Sequence, residues 1–156
     1  MRINILKKSK KKIYLDVCAL CRPFDDQSYI RIRQETDAIN LILSCIKDKY
    51  YELIISPVHL AEINDIAYDI ERLELLSLID KIGEKIKNNS SNTRMRAEEF
   101  VSKGFGIADA AHLAFAEINN STFISCDDKL IKKCKKNKLN NICVNPVIFC
   151  EMENIK

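Results

Sequence analysis

Between Ile107 and Ile118 the chain reads IADAAHLAFAEI, and only Asp109, His112 and Glu117 interrupt an otherwise apolar helical surface. A helix that is apolar on nearly every side belongs in an interior. Ala108, Ala110, Ala111, Ala114 and Ala116 keep it thin, so neighbouring elements can approach closely. Asp109 falls in the first turn, where free N–H groups and the helix dipole favour a carboxylate. Asn119-Asn120-Ser121 then supplies turn chemistry. Thr122-Phe123-Ile124 is a short apolar run of strand type, and Asp127-Asp128 follows where that strand should end. A buried helix and a buried strand that each end in an acid outline an acidic pocket, to which other parts of the chain can contribute.

The chain has 156 residues, the size of one ordinary domain, which buries roughly 68–70% of its unfolded surface and needs no staples. Apolar residues make up 47% and charged residues 30%, a globular balance. The net charge is only +3, but lysines cluster at 7–12 and 132–138. Such clusters serve either as a nucleic-acid face or as a solvated surface, and both readings stay open here. Seven cysteines, an odd number lying mostly in apolar runs, argue against a disulfide framework and for a reducing cytosol. Cys18-x-x-Cys21 has metal-ligand spacing but no second pair or nearby His, so small buried side chains are the better reading. No apolar run approaches the ~20 residues of a membrane span, and Ile13–Leu15 is too short for a signal peptide.

Taken in order, residues 1–12 form a basic extension that can fray. Ile13–Val17 is a strand with Asp16 near its end. Arg22–Asp26 has loop chemistry, and apolar spacing predicts a helix over about 28–49. Leu53–Ile55 is a second strand. Ser56-Pro57 starts a helix to about Ala67 that contains Glu62. A helix over about 69–86 follows, with Ile70, Leu73, Leu76, Ile79, Ile82 and Ile86 in one stripe. Residues 88–92 are a polar break, and 93–103 form a helix closed by Gly104 and Gly106. Lys129–Lys136 is a short basic helix, Ile142–Val144 a last strand, and Asn145-Pro146 starts a final helix to about Met152. Short apolar strands separated by helices give an α/β fold: a short parallel sheet covered by helices on both faces. Ligands of such sheets bind beyond the carboxyl ends of the strands, where Asp16 and Asp127 lie.

Asp16, Glu62, Asp109 and Asp127 thus each have a reason to meet. An Asp at a strand end is usually a turn residue, so each acid alone says little. Together, crowded carboxylates repel one another unless a cation lies between them. Oxygen ligands without Cys or His geometry select Mg²⁺ or Mn²⁺.

Four segments, YLDVCAL with Asp16, SPVHLAEI with Glu62, GIADAAHLAFAE with Asp109 and FISCDDKL with Ser125 and Asp127, together resemble the PIN-domain ribonucleases, which include toxins of toxin–antitoxin pairs. The resemblance runs from about residue 12 to 151, and its most specific part is GIADAAHLAFAE followed by FISCDD. It implies a single PIN-like nuclease domain over 1–156, with a three-layer α/β fold and Mg²⁺- or Mn²⁺-dependent endoribonuclease activity in the cytoplasm. By the same resemblance Asp16, Glu62, Asp109 and Asp127 are catalytic, Asp16, Asp109 and Asp127 hold the metal, and Ser125 pairs with Asp127, which leaves Asp128 outside. RNA is the implied substrate and an antitoxin protein an implied partner. The basic extension and the helix over 69–86 depart from the shortest relatives.

Arg22, Arg31 and Arg33 lie where substrate should enter. They serve either to hold phosphates or, for Arg31 and Arg33, to pair with Glu35 and Asp37. His112, one helical turn after Asp109, is either a structural hydrogen-bonder or an orienter of the acids; His59 reads as a partly exposed helix residue. A phosphotransfer receiver domain is a poor rival, because Asp16 lacks an acidic neighbour and no Lys follows the last strand. A catalytically silent PIN-like domain that only binds RNA or protein would show gaps among the four acids, and none is missing. Helices over 29–49 and 69–86 carry more apolar positions than one sheet face covers, which predicts a helical pair with a free edge for a dimer or a partner.

Overall fold

The computed structural model describes residues 10–86 and 90–156. The sequence readings at 1–9 and 87–89 lie outside them. Five strands, β1 (Lys11–Leu15), β2 (Tyr51–Ile55), β3 (Gly83–Lys85), β4 (Thr122–Ile124) and β5 (Cys143–Val144), form one sheet in the order β3-β2-β1-β4-β5. Every pairing is parallel, with Ile13 opposite both Leu53 and Thr122.

Side chains of a strand alternate between the two faces of its sheet, and the core divides accordingly. Ile13, Leu15, Leu53, Ile55, Ile124 and Val144 join one buried cluster. Against it pack α1 (Val17–Cys21), α2 (Ile30–Lys47), α3 (Pro57–Asn64), α4 (Asp69–Ile82) and α8 (Pro146–Met152). Tyr14, Ile54, Phe123 and Cys143 point the other way, into a second cluster with α5 (Ser91–Ser102), α6 (Ile107–Ile118) and α7 (Asp128–Lys136). The result is three layers, helices–sheet–helices, as the alternation of strand and helix patterns predicts.

The helix at the centre of the sequence argument, α6, is buried from Ala110 through Ala116 apart from the half-buried Ala111. Its first turn is not: Ile107 is 82% exposed. Arg96 of α5 holds Glu117 of α6 with a two-pronged ion pair, one arm of which is 2.9 Å long.

Three sequence expectations need correction. The segment 22–26 is not simply a loop: Val17–Cys21 is helical and runs into a 3₁₀ turn at Arg22–Phe24. The helix predicted to 86 stops at Ile82, and the next three residues become the edge strand β3. Its buried face is Leu75 and Ile79, while Ile70 and Leu73 are 73% and 60% exposed. Nor do α2 and α4 form a pair. α2 packs on α8, α4 on α3, and the short α1 touches both α2 and α4.

Gly83 makes the helix-to-strand change sterically feasible. A Cβ there would lie 2.6 Å from Ile55 Cγ1 and 2.7 Å from the Ile79 carbonyl oxygen. The carbonyl belongs to the last turn of α4 and cannot swing away. Gly83→Ala is therefore expected to destabilise the fold by about 1–3 kcal/mol, the usual cost of overpacking. Urea denaturation measures this; an unchanged midpoint would show that β3 lifts off β2 without cost.

Candidate active site

Four strands exit the sheet into polar residues: Leu15 into Asp16, Ile55 into Ser56, Ile124 into Ser125 and Val144 into Asn145. The chain moves from β1 to β2 on one side and returns to place β4 on the other, so the sheet reverses its winding between β1 and β4. That reversal opens a crevice beyond the strand ends. Asp16 lies at it from β1, and Ser125 and Asp127 from β4.

Asp16 is only 6% exposed. Its backbone N–H donates to the Ile124 carbonyl at 2.9 Å, which ties the two strand ends together. The Ser125 hydroxyl donates to Oδ2 at 2.9 Å, and the Cys18 thiol approaches the same oxygen at 3.3 Å. Burial and the Asp16 charge push the Cys18 thiol up to about 12, so it stays protonated and serves as a donor. Both Cys18 and Cys21 are free thiols within α1, and the CxxC spacing is spent on helix packing.

Ser125 also accepts the Asp127 backbone N–H at 3.1 Å. Asp127 is the N-cap of α7: its Oδ1 accepts from the N–H groups of Lys129 and Leu130 at 3.0 and 3.1 Å. Asp128 points elsewhere and pairs with Arg31 at 2.6 Å. That bond holds its carboxyl below the usual carboxylate range.

Glu62 is half-buried on α3 and bonds through Oε1 to His112 Nε2. The same nitrogen lies 4.0 Å from Asp16 Oδ1. His112 is 1% exposed, and its Nδ1 is 2.5 Å from the Tyr14 hydroxyl, which in turn lies 2.6 Å from Ser56 Oγ. His59 is not the partly exposed residue its sequence position suggests; it is fully buried. Its Nδ1 accepts the Ser56 N–H at 3.0 Å, which leaves Nε2–H to donate to the Leu15 carbonyl at 2.7 Å. Burial, helped by His112, lowers its pKa to about 3 and keeps the ring neutral.

Asp109, three residues before His112 in α6, is half-buried and takes no hydrogen bond from the described residues. Its carboxyl is raised above the usual range, first by burial and then by the charges of Asp16 and Asp127, with Glu62 adding and His112 opposing. Asp109 of α6 therefore lies within the field of the acids from β1, α3 and the β4–α7 corner. Among the described residues no three His, Cys, Asp or Glu side chains close into a ready-made metal cage.

Arg22 and Arg31 face Glu35, a 1%-exposed carboxylate of α2, at 3.2 and 3.1 Å. Asn145 donates to the other Glu35 oxygen at 3.2 Å, and Asp25 takes the second Arg22 arm at 3.0 Å. Arg33 donates to the carbonyls of Gln27 and Ser28. As packed, Arg22 braces α2 against the strand ends rather than projecting freely.

Sequence reasoning gave no site role to Tyr14 or Ser56, and it named Glu35 only as a partner of Arg31, a pairing the structure contains at 3.1 Å. Tyr14 carried a signal, since alternation places it on the face opposite Ile13 and Leu15, toward the α6 layer. Glu35 carried none beyond its spacing from Arg31, because a charged residue inside a helix reads as solvent-facing.

No family model matches the chain, and a search of curated proteins gave no match. Solved structures do match. The crystal structure of FitAcB from Neisseria gonorrhoeae superposes with a TM-score of 0.53 at 16% identity, covering 86% of this chain and 97% of that one. At such identity the likeness concerns architecture. With the parallel five-stranded sheet and helices on both faces, it gives the chain a PIN-like three-layer α/β fold.

Proposed function

We propose that the protein is a metal-dependent endoribonuclease, acting as the toxin of a toxin–antitoxin pair, whose four acids Asp16, Glu62, Asp109 and Asp127 form one centre. The observation that carries this reading is Asp109. A half-buried carboxylate that takes no hydrogen bond from the described residues, pushed toward its neutral form first by burial and then by Asp16, Asp127 and Glu62, is a costly arrangement for a merely structural residue. It suits a site that receives a cation.

The donor set fits Mg²⁺ or Mn²⁺. Mg²⁺ keeps most of its waters and is held by one or two carboxylates plus substrate phosphates, so a closed cage of three protein ligands is not needed. Asp16, Asp109 and Asp127 would hold the ion. When bound, it would offset phosphodiester charge and activate water for hydrolysis. The chain's own residues do the positioning. Ser125 and Cys18 fix Asp16 Oδ2, while Oδ1 takes no hydrogen bond from the described residues and lies 4.0 Å from His112 Nε2. The α7 N-terminus fixes Asp127 through one oxygen. Glu62 is free to orient a water through the oxygen His112 does not take.

The toxin role rests on the resemblance of the four segments, and an antitoxin protein is the partner it implies; a second copy of the chain is the partner suggested by apolar residues left exposed on α4, Ile70 and Leu73. Among the described residues no helix is long and apolar enough to cross a membrane. Incubating the protein with a labelled single-stranded RNA and Mn²⁺ tests the activity. Fragments that EDTA suppresses support it; RNA that is bound but intact supports a silent binding domain instead.

Lys132, Lys135, Lys136 and Lys138 are exposed on or just after α7, whereas Lys133 is tied to the Gly104 carbonyl at 2.8 Å. If the first group contacts RNA, affinity falls steeply with salt, and each contact removed by Lys→Gln lowers the log–log slope by about 0.7. Fluorescence anisotropy between 50 and ~200 mM salt reads this. A slope indifferent to these substitutions makes the cluster a solvated surface.

A further inference from the structure

His112 is none of the four acids, yet its ring lies between two of them. Nε2 lies against Glu62 Oε1 and 4.0 Å from Asp16 Oδ1. A bare nitrogen facing two carboxylates would be repelled, so Nε2 carries a proton. Nε2–H faces Glu62 whether the ring is neutral or charged; in the neutral tautomer Nδ1 accepts from the Tyr14 hydroxyl at 2.5 Å. Ser56 Oγ, 2.6 Å from the Tyr14 oxygen, supplies that oxygen with a proton in turn. The hydrogen-bond chain Ser56–Tyr14–His112–Glu62 thus runs in one direction from the end of β2, through β1 and α6, to α3. His59 closes its far end: bonded to the Ser56 N–H and the Leu15 carbonyl, it packs tilted by 36° against the Tyr14 ring with centroids 4.4 Å apart. Ser56, Tyr14, His59 and His112 all have little or no exposed surface, so water cannot substitute for the links among them.

We infer that His112 is a positioning residue, its Nε2–H fixed by the Ser56–Tyr14 chain so that one ring sets Glu62 of α3 relative to Asp16 of β1. Without the ring, Glu62 is a half-exposed side chain on a separate helix with nothing to orient it toward Asp16. This inference rests on the ribonuclease reading for its consequence, but the hydrogen-bond chain stands independently of it.

Two isosteric substitutions separate positioning from packing. The His112→Gln amide reaches the Nε2 position and keeps a donor for Glu62. The His112→Asn amide reaches only the Nδ1 position and keeps the Tyr14 contact alone. His112→Asn is expected to lower kcat for RNA cleavage about 10–100-fold, the range for partners that orient metal-site ligands. His112→Gln should recover most of that loss, with KM changing less than kcat. Tyr14→Phe removes one oxygen from the same volume, lowers kcat in the same direction by less, and serves if the His112 variants do not fold. Long-range ¹H–¹⁵N NMR of the metal-free full chain should find Nε2 protonated. An unprotonated Nε2, or equal kcat for wild type, His112→Asn and Tyr14→Phe, overturns the inference. If even wild-type protein leaves RNA intact, the ribonuclease reading is what fails. Titration calorimetry with Mn²⁺ then decides the positioning role: weaker binding by His112→Asn than by His112→Gln supports it, and equal or absent binding overturns it.

Discussion

Asp16→Asn and Asp109→Asn are each expected to lower kcat for RNA cleavage by about 10³-fold or more, and the double variant to be little worse than either single one. Residues that act as one unit are strongly non-additive. The amide matches the carboxylate in shape, so losses reflect charge rather than packing. In Asp16→Asn the side-chain oxygen can still accept from the Ser125 hydroxyl, which now donates at 2.9 Å to Oδ2. The β1–β4 tie through the Asp16 backbone N–H is untouched. The fold should therefore survive while the charge facing the crevice disappears. Asp128→Asn is the matched control: its carboxylate is half-exposed and committed to Arg31, so kcat should stay near wild type. Additive losses in the double variant, or a loss at Asp128 equal to that at Asp16, would contradict a centre built on Asp16, Asp109 and Asp127.

The second large effect is on stability, and it has an unusual sign. The Asp109 carboxyl is raised above its ordinary value of 3.8 by burial and by Asp16 and Asp127. A carboxyl that ionises less readily when folded makes the unfolded state the better acid. Stability from this group therefore falls as pH rises from its unfolded value through its raised folded value, and the penalty is complete above the latter. Metal-free Asp109→Asn should thus melt higher than metal-free wild type at neutral pH, with the gap closing on acidification below about 4. The helix dipole works the other way. Asp109 is in the first turn of α6, where a carboxylate gains about 0.3–1 kcal/mol. Burial and repulsion are expected to outweigh the dipole, and the sign of the metal-free melting difference reads this.

Divalent metal should reverse the order. An ion that binds only the folded site stabilises it by about 2.7 kcal/mol at a hundredfold excess over its Kd. Wild type should gain this and Asp109→Asn much less. Asp109→Ala separates a cap from a ligand, since a purely structural acid would cost the same with or without metal. Calorimetric melts of the three proteins across a Mn²⁺ titration read all of this. Equal shifts in all three would make Asp109 structural.

Much of this architecture was legible in the sequence because it rests on local patterns. Thr122–Ile124 and Ile107–Ile118 appear as strand and helix at the bounds their apolar runs indicate. Ser56-Pro57 starts α3 as its capping chemistry predicts. What was not legible depends on tertiary approach. The helix over 69–86 has an unbroken apolar rhythm, but Gly83 lets the chain come within contact of Ile55 and trade a helical turn for an edge strand. Ile70 and Leu73 share that rhythm and still face outward, because α4 meets α3 and α1 on its other side. At the site, the acids announced themselves by lying at strand and helix ends. The groups that hold them did not. Tyr14 looks like any strand aromatic, and Glu35 like any helix surface acid, until three-dimensional neighbours give each a partner.

The account turns on the acids of four separate elements serving one cation site. Mn²⁺ binding tests it most directly, followed by the loss of the free-ion EPR signal in wild type, Asp16→Asn, Asp109→Asn and Asp128→Asn. Saturable binding by wild type and Asp128→Asn, weakened at least tenfold in Asp16→Asn and Asp109→Asn, is the predicted result. Binding that is absent from wild type, or equal in all four proteins, would contradict it.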